Sequence, residues 1–190
     1  SKMCKLDADK TAVVLGCGME GLLTVAALKT LGINKIIVID KESEKSRAME
    51  FGAWEFIGSH GKNGVAGVKD KIRAAAGDMA DAVFICTDSP MGRNVARRFM
   101  KNSGSICEMG FLCGWRRTPI ARYFEDSMPA GGRFYAARDY ENCMNFLAKA
   151  AEMKLPLYKL ITHRYKLEEI NEAMWTVVRE EGLGIAVFNR

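Results

Sequence analysis

The amino-acid sequence predicts an α/β fold built on a doubly wound parallel sheet, followed by a C-terminal helix–strand tail. Short apolar runs of strand length alternate with amphipathic stretches of helix length, which is the pattern of β–α–β units. The chain has 190 residues, of which 48% are hydrophobic. That length and composition are sufficient for one well-buried core.

The predicted strands of the sheet are mostly apolar runs, as expected for strands that helices cover on both faces. In chain order they are "TAVVLG" from Thr11, "KIIVID" from Lys35, "WEFI" from Trp54, "DAVFICT" from Asp81 and "GSICEMG" from Gly104. Strands of this kind are the centre of a doubly wound fold.

Between these strands, amphipathic stretches predict helices at about 18–31, 42–51, 68–76 and 91–101. Residues 59–70 are rich in glycine and have no apolar period, so they predict a surface loop that leads into the third helix. The regular alternation of strands and helices predicts the Rossmann-type order of a doubly wound sheet.

A different pattern begins after the glycine-containing stretch "SMPAGGR" at 127–133. It contains the strand candidate "RFYAA", helix candidates at about 140–153 and 167–180, and a closing strand "GIAVFN". We therefore expect a main domain over residues 1–155 and a tail over residues 156–190.

Composition argues against several kinds of partner and site. The 28 basic and 23 acidic residues give a formal net charge of +5, which is too balanced to indicate nucleic acid. No signal peptide and no apolar run of about 18 residues is present, so we expect no membrane partner and a cytoplasmic location. The six cysteines form no CxxC pair and are expected to be reduced. With two histidines and no HExxH motif, the chain is not expected to bind a metal by itself.

The segment "VVLGCGMEGLL", residues 13–23, predicts a dinucleotide-binding loop. It follows an apolar strand and opens a helix, and Asp40 at the end of the next strand lies 19 residues after Gly21. In this setting Gly16 makes the tight turn, Gly18 lets the backbone approach a pyrophosphate, and Gly21 allows the helix to pack closely on the strand. The N–H groups at the helix N-terminus would bind the phosphates. The alternative is a tight strand-to-helix turn without a ligand.

Asp40 indicates which dinucleotide the loop would bind. Its carboxylate can accept hydrogen bonds from a ribose diol, whereas it would repel a 2′-phosphate at contact distance by about 1 to 4 kcal/mol. NAD is therefore favoured over NADP by about tenfold or more. Lys41 and Lys45 lie close in the sequence and would weaken this preference.

Several longer strings resemble one family. They are "VVLGCGMEGLLTVAALKTLGINKIIVID", "EKSRAMEFGA", "DAVFICTDSP", "GSICEMG" and, most distinctive, "LITHRYKLEEINEAM". From about Lys10 to Arg190 the chain resembles the cofactor-binding, C-terminal domain of zinc-dependent medium-chain dehydrogenases, the family of alcohol, sorbitol and threonine dehydrogenases. The resemblance implies an NAD-binding Rossmann domain and a tail that packs on a catalytic domain absent from this chain.

The resemblance also implies roles for single residues. Lys45 looks like a second ribose contact, although this chain is one residue shorter than the family between Asp40 and Gly52. The backbone from Met109 to Phe111 would pass the nicotinamide carboxamide, and Thr87 would either contact the cofactor or cap its strand. The candidate cofactor-binding residues are therefore Gly16, Gly18, Met19, Glu20, Gly21, Asp40, Lys41, Lys45, Thr87, Met109, Gly110 and Phe111.

The chain departs from the family at three points. The zinc-bearing domain with its GHE motif is missing, so zinc would belong only to that absent domain. Ala186 stands where members often have a basic residue that reaches the pyrophosphate. Glu20 stands where members usually have a small apolar side chain behind the nicotinamide ring; it either points aside or lies near the positive ring of NAD⁺. Thr162 and His163 are interpreted as residues that organise a turn rather than as metal ligands.

The predicted function is NAD(H) binding within an oxidoreductase that transfers hydride between nicotinamide and an alcohol carbon. The isolated chain is expected to bind the cofactor without turning over alcohols. The alternative is a non-catalytic dinucleotide-binding or sensing module. Because members of the family pair through this domain, the resemblance also implies a homodimer or a larger homo-oligomer.

Overall fold

The structure of the chain is a computed structural model. The structure describes residues 6–59, 64–87, 90–109, 137–179 and 182–188. The chain divides into two compact units, Ser1–Leu155 and Pro156–Arg190.

The first unit contains one five-stranded parallel sheet. Its strands are β1 (Thr11–Leu15), β2 (Lys35–Asp40), β3 (Glu55–Gly58), β4 (Ala80–Ile85) and β5 (Met100–Glu108). Their order across the sheet is β3-β2-β1-β4-β5. The chain moves outward from β1 to β3 and then returns to the other side of β1, so the order reverses between β1 and β4. The predicted Rossmann-type, doubly wound sheet is confirmed.

The helices of the first unit follow its strands, as predicted. They are α1 (Met19–Thr30), α2 (Lys45–Glu50), α3 (Gly64–Ala76), α4 (Pro90–Ala96) and α5 (Ala137–Glu152). A 3₁₀ turn at Glu42–Glu44 leads into α2. Among the described helices, none combines the length and the apolar character that a membrane span needs.

The predicted end of the helix after β4 and the predicted start of β5 at Gly104 were wrong. The helix after β4 ends at Ala96, a 3₁₀ turn covers Arg97–Phe99, and Met100 already begins β5. Phe99 and Met100 are buried in the core, so the tertiary environment overrides the helical spacing of this segment.

Helix α3 begins at Gly64, inside the predicted loop. Val65, Val68 and Ile72 lie on one side of this helix and pack against the core. Glycines at 64 and 67 obscured that apolar spacing in the sequence.

The core lies on both faces of the sheet, which explains why β1 is buried along its whole length. On one face, Val13 and Leu15 belong to the same cluster as Val68 and Ile72 of α3. The buried residues Leu22, Val25 and Ala26 belong to α1, which contacts β1 and β2.

The second unit has a parallel pair of strands and a helix. These are β6 (Ile161–Lys166), β7 (Gly184–Phe188) and α6 (Ile170–Val178). The closing strand and the helix were predicted, whereas β6 was missed because its residues are mostly polar or exposed. Pairing with β7 and a 2.7 Å hydrogen bond between the Tyr165 and Thr176 hydroxyls hold β6 in place. The predicted strand "RFYAA" lies outside the described residues.

The cysteines agree only in part with the prediction that all are reduced. Cys17, Cys86 and Cys143 have free thiols, but Cys107 is disulfide-bonded. A disulfide needs no CxxC motif, so the absence of that motif from the sequence was not informative here.

At the amino edge of the sheet, Asp81 ties three strands together. Its Oδ2 accepts the N–H of Thr11 at 2.9 Å, and its Oδ1 lies 3.0 Å from Nζ of Lys101 and 3.7 Å from Nζ of Lys10. Burial alone would raise the pKa of Asp81. The Thr11 and Lys101 hydrogen bonds and the two lysine charges outweigh burial, so the pKa lies below the ordinary value of 3.8.

We predict that Asp81→Asn lowers the free energy of unfolding by about 1 to 3 kcal/mol at neutral pH, since it removes the charge that both lysines contact. A lowered folded-state pKa stabilises the fold above the ordinary carboxyl pKa, and this advantage is lost as pH falls through the folded-state value. In urea unfolding measured from pH 7 down to acid, the free energies of unfolding of the unsubstituted chain and of Asp81→Asn should converge. Asp78→Asn, whose carboxylate is exposed and 3.8 Å from Lys101, is the control and should change stability by less than about 0.5 kcal/mol. A difference that persists unchanged into acid would contradict this role for the Asp81 charge.

Candidate functional site

The loop between β1 and α1 turns sharply at Gly16. This residue has a φ of +100°, a conformation that favours glycine. A Cβ at Gly16 would lie 2.4 Å from the carbonyl oxygen of Cys86, just beyond β4. The N–H of Gly16 donates to the carbonyl of Ile39 at 3.0 Å. The tight turn predicted for Gly16 is therefore present and is fixed between β2 and the end of β4.

The other two glycines of the loop differ in their surroundings. A Cβ at Gly21 would lie 2.0 Å from the carbonyl oxygen of Gly16, so α1 approaches the turn backbone to backbone. A Cβ at Gly18 would meet no atom within 4 Å. Gly18 is the N-cap of α1 and is exposed. Because it has no side chain, it leaves open space in front of the helix N-terminus.

Asp40 joins the end of β2 to this loop. Its Oδ2 accepts the N–H of Cys17 at 2.6 Å, and its Oδ1 accepts the N–H of Lys41 at 2.6 Å. Sequence reasoning treated Asp40 as a cofactor ligand or, in the alternative, as a solvated strand end, and missed its contact with the loop. A carboxylate has about four acceptor positions, so two backbone hydrogen bonds leave acceptor capacity for a further donor.

The charged residues after Asp40 are largely paired with one another. Arg47 forms a 2.5 Å ion pair with Glu44, and Nζ of Lys45 lies 3.9 Å from Glu42. These side chains are partly or largely exposed, so each pair contributes little to stability. Their effect on the site is instead to neutralise positive charge close to Asp40.

The two free thiols near the loop are protonated. Burial, followed by the charges of Asp40 and Glu44, raises the pKa of Cys17 to about 12, although Arg47 opposes this effect. Burial is also the largest cause that raises the pKa of Cys86 to about 12. Neither thiol can act as a thiolate nucleophile at neutral pH.

The other side of the loop faces the end of β4, and β5 pairs with β4. Thr87 follows β4, and its Cβ would lie 3.2 Å from a Cβ at Gly16. Met109 follows β5; its N–H donates to Ile85 at 2.9 Å and its side chain is about half exposed. Met19 and Glu20 are exposed in the first turn of α1.

The structure therefore brings most of the predicted residues to one edge of the sheet. Asp40 is the last residue of β2, and the loop, Lys41, Thr87 and Met109 lie just beyond the carboxyl ends of β1, β2, β4 and β5. Lys45 lies one 3₁₀ turn further on, in α2, where it pairs with Glu42. Gly110 and Phe111 lie outside the described residues.

Thr162 and His163 belong to β6 rather than to a turn before a helix, so their predicted location was wrong. The Thr162 hydroxyl accepts the N–H of Leu183 at 3.0 Å, and Nδ1 of His163 lies 2.9 Å from the same hydroxyl. The bond from Leu183 connects β6 with the segment that enters β7, and the His163 contact lies within β6. Among the described residues, no three His, Cys, Asp or Glu side chains are grouped as metal ligands would be.

Comparison with known proteins identifies the family. A model of the zinc-binding dehydrogenase family matches residues 21–149. Sorbitol dehydrogenase 1 of Saccharomyces cerevisiae is 30% identical over 178 residues, which are 91% of this chain and 49% of that protein. The chain belongs to the zinc-binding dehydrogenase family. The membership predicted from the sequence strings is confirmed.

Solved structures share the fold. An alcohol dehydrogenase from Thermotoga maritima matches with a TM-score of 0.81 and 21% identity over 97% of this chain and 52% of that chain. An alcohol dehydrogenase from E. coli CFT073, solved with the cofactor NADH, matches with a TM-score of 0.77 and 20% identity over 98% of this chain and 53% of its own. The chain spans about half the length of the curated relatives it matches.

We predict that Gly21→Ala lowers the free energy of unfolding by about 1 to 3 kcal/mol, because the new methyl group overlaps the Gly16 carbonyl and must push α1 away. Gly18→Ala is the matched control, since the added methyl group meets open space, and should cost less than about 1 kcal/mol. Urea unfolding of both variants measures the difference. Equal losses would contradict the close packing of α1 on the turn.

Proposed function

We propose that the first unit is the NAD(H)-binding domain of a zinc-type alcohol or polyol dehydrogenase. The observation that carries this proposal is the hydrogen bond from the Cys17 N–H to Asp40, which holds the glycine loop beside a carboxylate at the end of β2. An acidic residue at that position and a glycine loop at a helix N-terminus are the two elements that bind a ribose and a pyrophosphate.

The phosphates would bind in front of α1. The space around Gly18 is open. Gly18 is the N-cap of α1 and has no side chain that could bind the first-turn N–H groups of the helix. These N–H groups and the positive end of the helix dipole favour an anion. Gly16 and Gly21 would contribute indirectly, by fixing the turn and the helix.

The adenosine ribose would bind at Asp40. Both carboxylate oxygens keep acceptor capacity beyond their backbone hydrogen bonds. A 2′-phosphate would meet the negative charge of Asp40, while Lys45 and Arg47 are already close to Glu42 and Glu44. This pairing reduces the positive charge that could compensate, so the site favours NAD over NADP.

The nicotinamide would lie toward β4 and β5. The N–H of Met109 donates to Ile85, so we assign the contact with the carboxamide to the Met109 carbonyl. Thr87 adds a hydroxyl at the end of β4 and is a second candidate contact. When bound, the cofactor supplies hydride transfer, and the protein supplies its position and orientation.

The remainder of the enzyme would supply the metal and the substrate pocket. In the second unit, Met174, Trp175, Val177 and Val178 of α6 are each more than half exposed. Exposed apolar surface of this kind marks contact sites and supports packing of α6 on a further domain. We also propose a homodimer or larger assembly, on the family resemblance alone.

The proposal predicts that the purified chain binds NADH and does not oxidise alcohols. An NADH fluorescence titration should saturate, whereas assays with NAD⁺ and polyols or primary alcohols should show no turnover, because the zinc would belong to a separate domain. Gly18→Ala fills the space proposed for the pyrophosphate and should weaken NADH binding by about tenfold without a matching loss of stability. No binding at millimolar NADH would contradict the proposal.

Asp40→Asn tests the ribose contact separately. The substitution removes the charge that receives the ribose hydroxyls, so the affinity for NADH should fall by about tenfold. The affinity for NADPH should fall by less, because the substitution also removes the repulsion between Asp40 and the 2′-phosphate. Titration of both cofactors measures the ratio, with Asp9→Asn at the amino edge of the sheet as a charge control. An equal loss of affinity for both cofactors would contradict the ribose contact. It would mean that Asp40 affects binding only by holding the glycine loop in position.

A further inference from the structure

The turn after β2 holds a paired cation close to the proposed ribose site. Nη1 of Arg47 donates to Oε2 of Glu44 at 2.5 Å. The Ser43 hydroxyl donates to the other oxygen of the same carboxylate at 3.5 Å. Both charged side chains are only partly buried, so the guanidinium still reaches solvent. Glu44 therefore holds a cation that a bound ligand could also contact.

Two contacts place this ion pair next to Asp40. The N–H of Cys17 donates to Oδ2 of Asp40 at 2.6 Å, and the sulfur of Cys17 lies 4.0 Å from the carbonyl oxygen of Glu44. Cys17 thus lies between the two acidic residues. Burial is the largest cause that raises the pKa of the Cys17 thiol; the charges of Asp40 and Glu44 raise it further, and Arg47 lowers it. Arg47 is therefore within electrostatic range of the loop that borders the proposed ribose site.

The neighbouring ion pair, between Lys45 and Glu42, is looser. Its two charged atoms are 3.9 Å apart, and the Glu42 side chain is 72% exposed, against 26% for Glu44. An exposed pair of this kind is screened by water and salt and restrains its side chains little. The Glu44–Arg47 pair has a hydrogen bond and is less exposed. Of these two pairs, it is the one that fixes the position of a cation.

This restraint matters for the choice between two cofactors, which differ at the 2′ position of the adenosine ribose. NADP carries a phosphate there, and NAD carries a hydroxyl. A guanidinium forms paired hydrogen bonds with phosphates as it does with carboxylates. The carboxylate of Glu44 and a 2′-phosphate beside Asp40 would therefore compete for Arg47.

We infer that Glu44 is a specificity-determining residue: by holding Arg47, it withholds from the 2′-phosphate of NADP the cation that would otherwise bind it. The inference rests on the proposed binding of the adenosine ribose at Asp40. The two carboxylates act differently, since Asp40 repels the phosphate directly, whereas Glu44 occupies its binding partner. Loss of Glu44 alone should therefore improve NADP binding while Asp40 is still present.

The test measures dissociation constants for NADH and NADPH by fluorescence titration of the full 190-residue chain. Glu44→Gln releases Arg47 and should lower the dissociation constant of NADPH by about three- to tenfold, the size expected for one charge contact in a largely aqueous site. The dissociation constant of NADH should change by less than about twofold, because NADH has no 2′-phosphate. Damage to the fold cannot produce a gain of affinity for one cofactor.

Three further variants separate release of Arg47 from other effects. Glu44→Ala should give the same gain, which excludes a new hydrogen bond from the glutamine amide. In an Arg47→Gln background, Glu44→Gln should no longer tighten NADPH binding, because no guanidinium is left to release. Glu42→Gln removes the same charge from the same turn while Arg47 stays paired, and should change NADPH binding by less than about twofold.

The outcomes distinguish the inference from the proposed function. Unchanged NADPH affinity in both Glu44 variants, or a gain that persists without Arg47 or that Glu42→Gln reproduces in full, would overturn the inference and leave the proposed function in place. Failure of the unsubstituted chain to bind NADH would instead overturn the proposed function, and the inference with it.

Discussion

The site depends on a close backbone contact between two glycines, Gly16 in the turn and Gly21 in α1. Gly21 lies so close to the carbonyl of Gly16 that a single methyl group would overlap it. This contact brings the N-terminus of α1 to the edge of the sheet between β1 and β4. From there, the turn can present the Cys17 N–H to Asp40 and leave the space around Gly18 open. Every proposed role in cofactor binding assumes this position of α1.

Sequence reasoning succeeded where burial dictates residue type. β1 and β2 are buried on both faces, so their residues are almost all apolar and their bounds could be predicted closely. It failed at β6, whose polar residues have no strand-like burial pattern and whose strand conformation depends on pairing with β7. It also placed the start of α3 too late, because glycines masked an apolar stripe.

The candidate site was predictable in composition but not in contacts. The glycine spacing and Asp40 were evident from the sequence, because each has a defined local position after a strand. The hydrogen bond between Asp40 and Cys17 joins residues 23 positions apart, and no local pattern encodes it. The pairing of Lys45 with Glu42 likewise changed how that lysine is interpreted: it moderates the local charge rather than simply adding to it.

The two edges of the sheet use charge in different ways. At the amino edge, the Asp81 carboxylate contacts Lys10, Lys101 and the N–H of Thr11, and these contacts join neighbouring strands. At the carboxyl edge, Asp40 also binds backbone, yet it retains acceptor capacity. A fold that fixes one edge with ion pairs can keep polar groups at the other edge available for a ligand.

The state of the thiols has a practical consequence for experiments on this protein. Cys17 and Cys86 are buried and protonated, whereas Cys143 is exposed on α5 with a free thiol. Among the described cysteines, a maleimide dye would therefore react first at Cys143 while the protein remains folded. Reaction at Cys17 would require the glycine loop to move away from β2 and β4, which exposes the thiol. The rate of that slow labelling would report how often the loop opens.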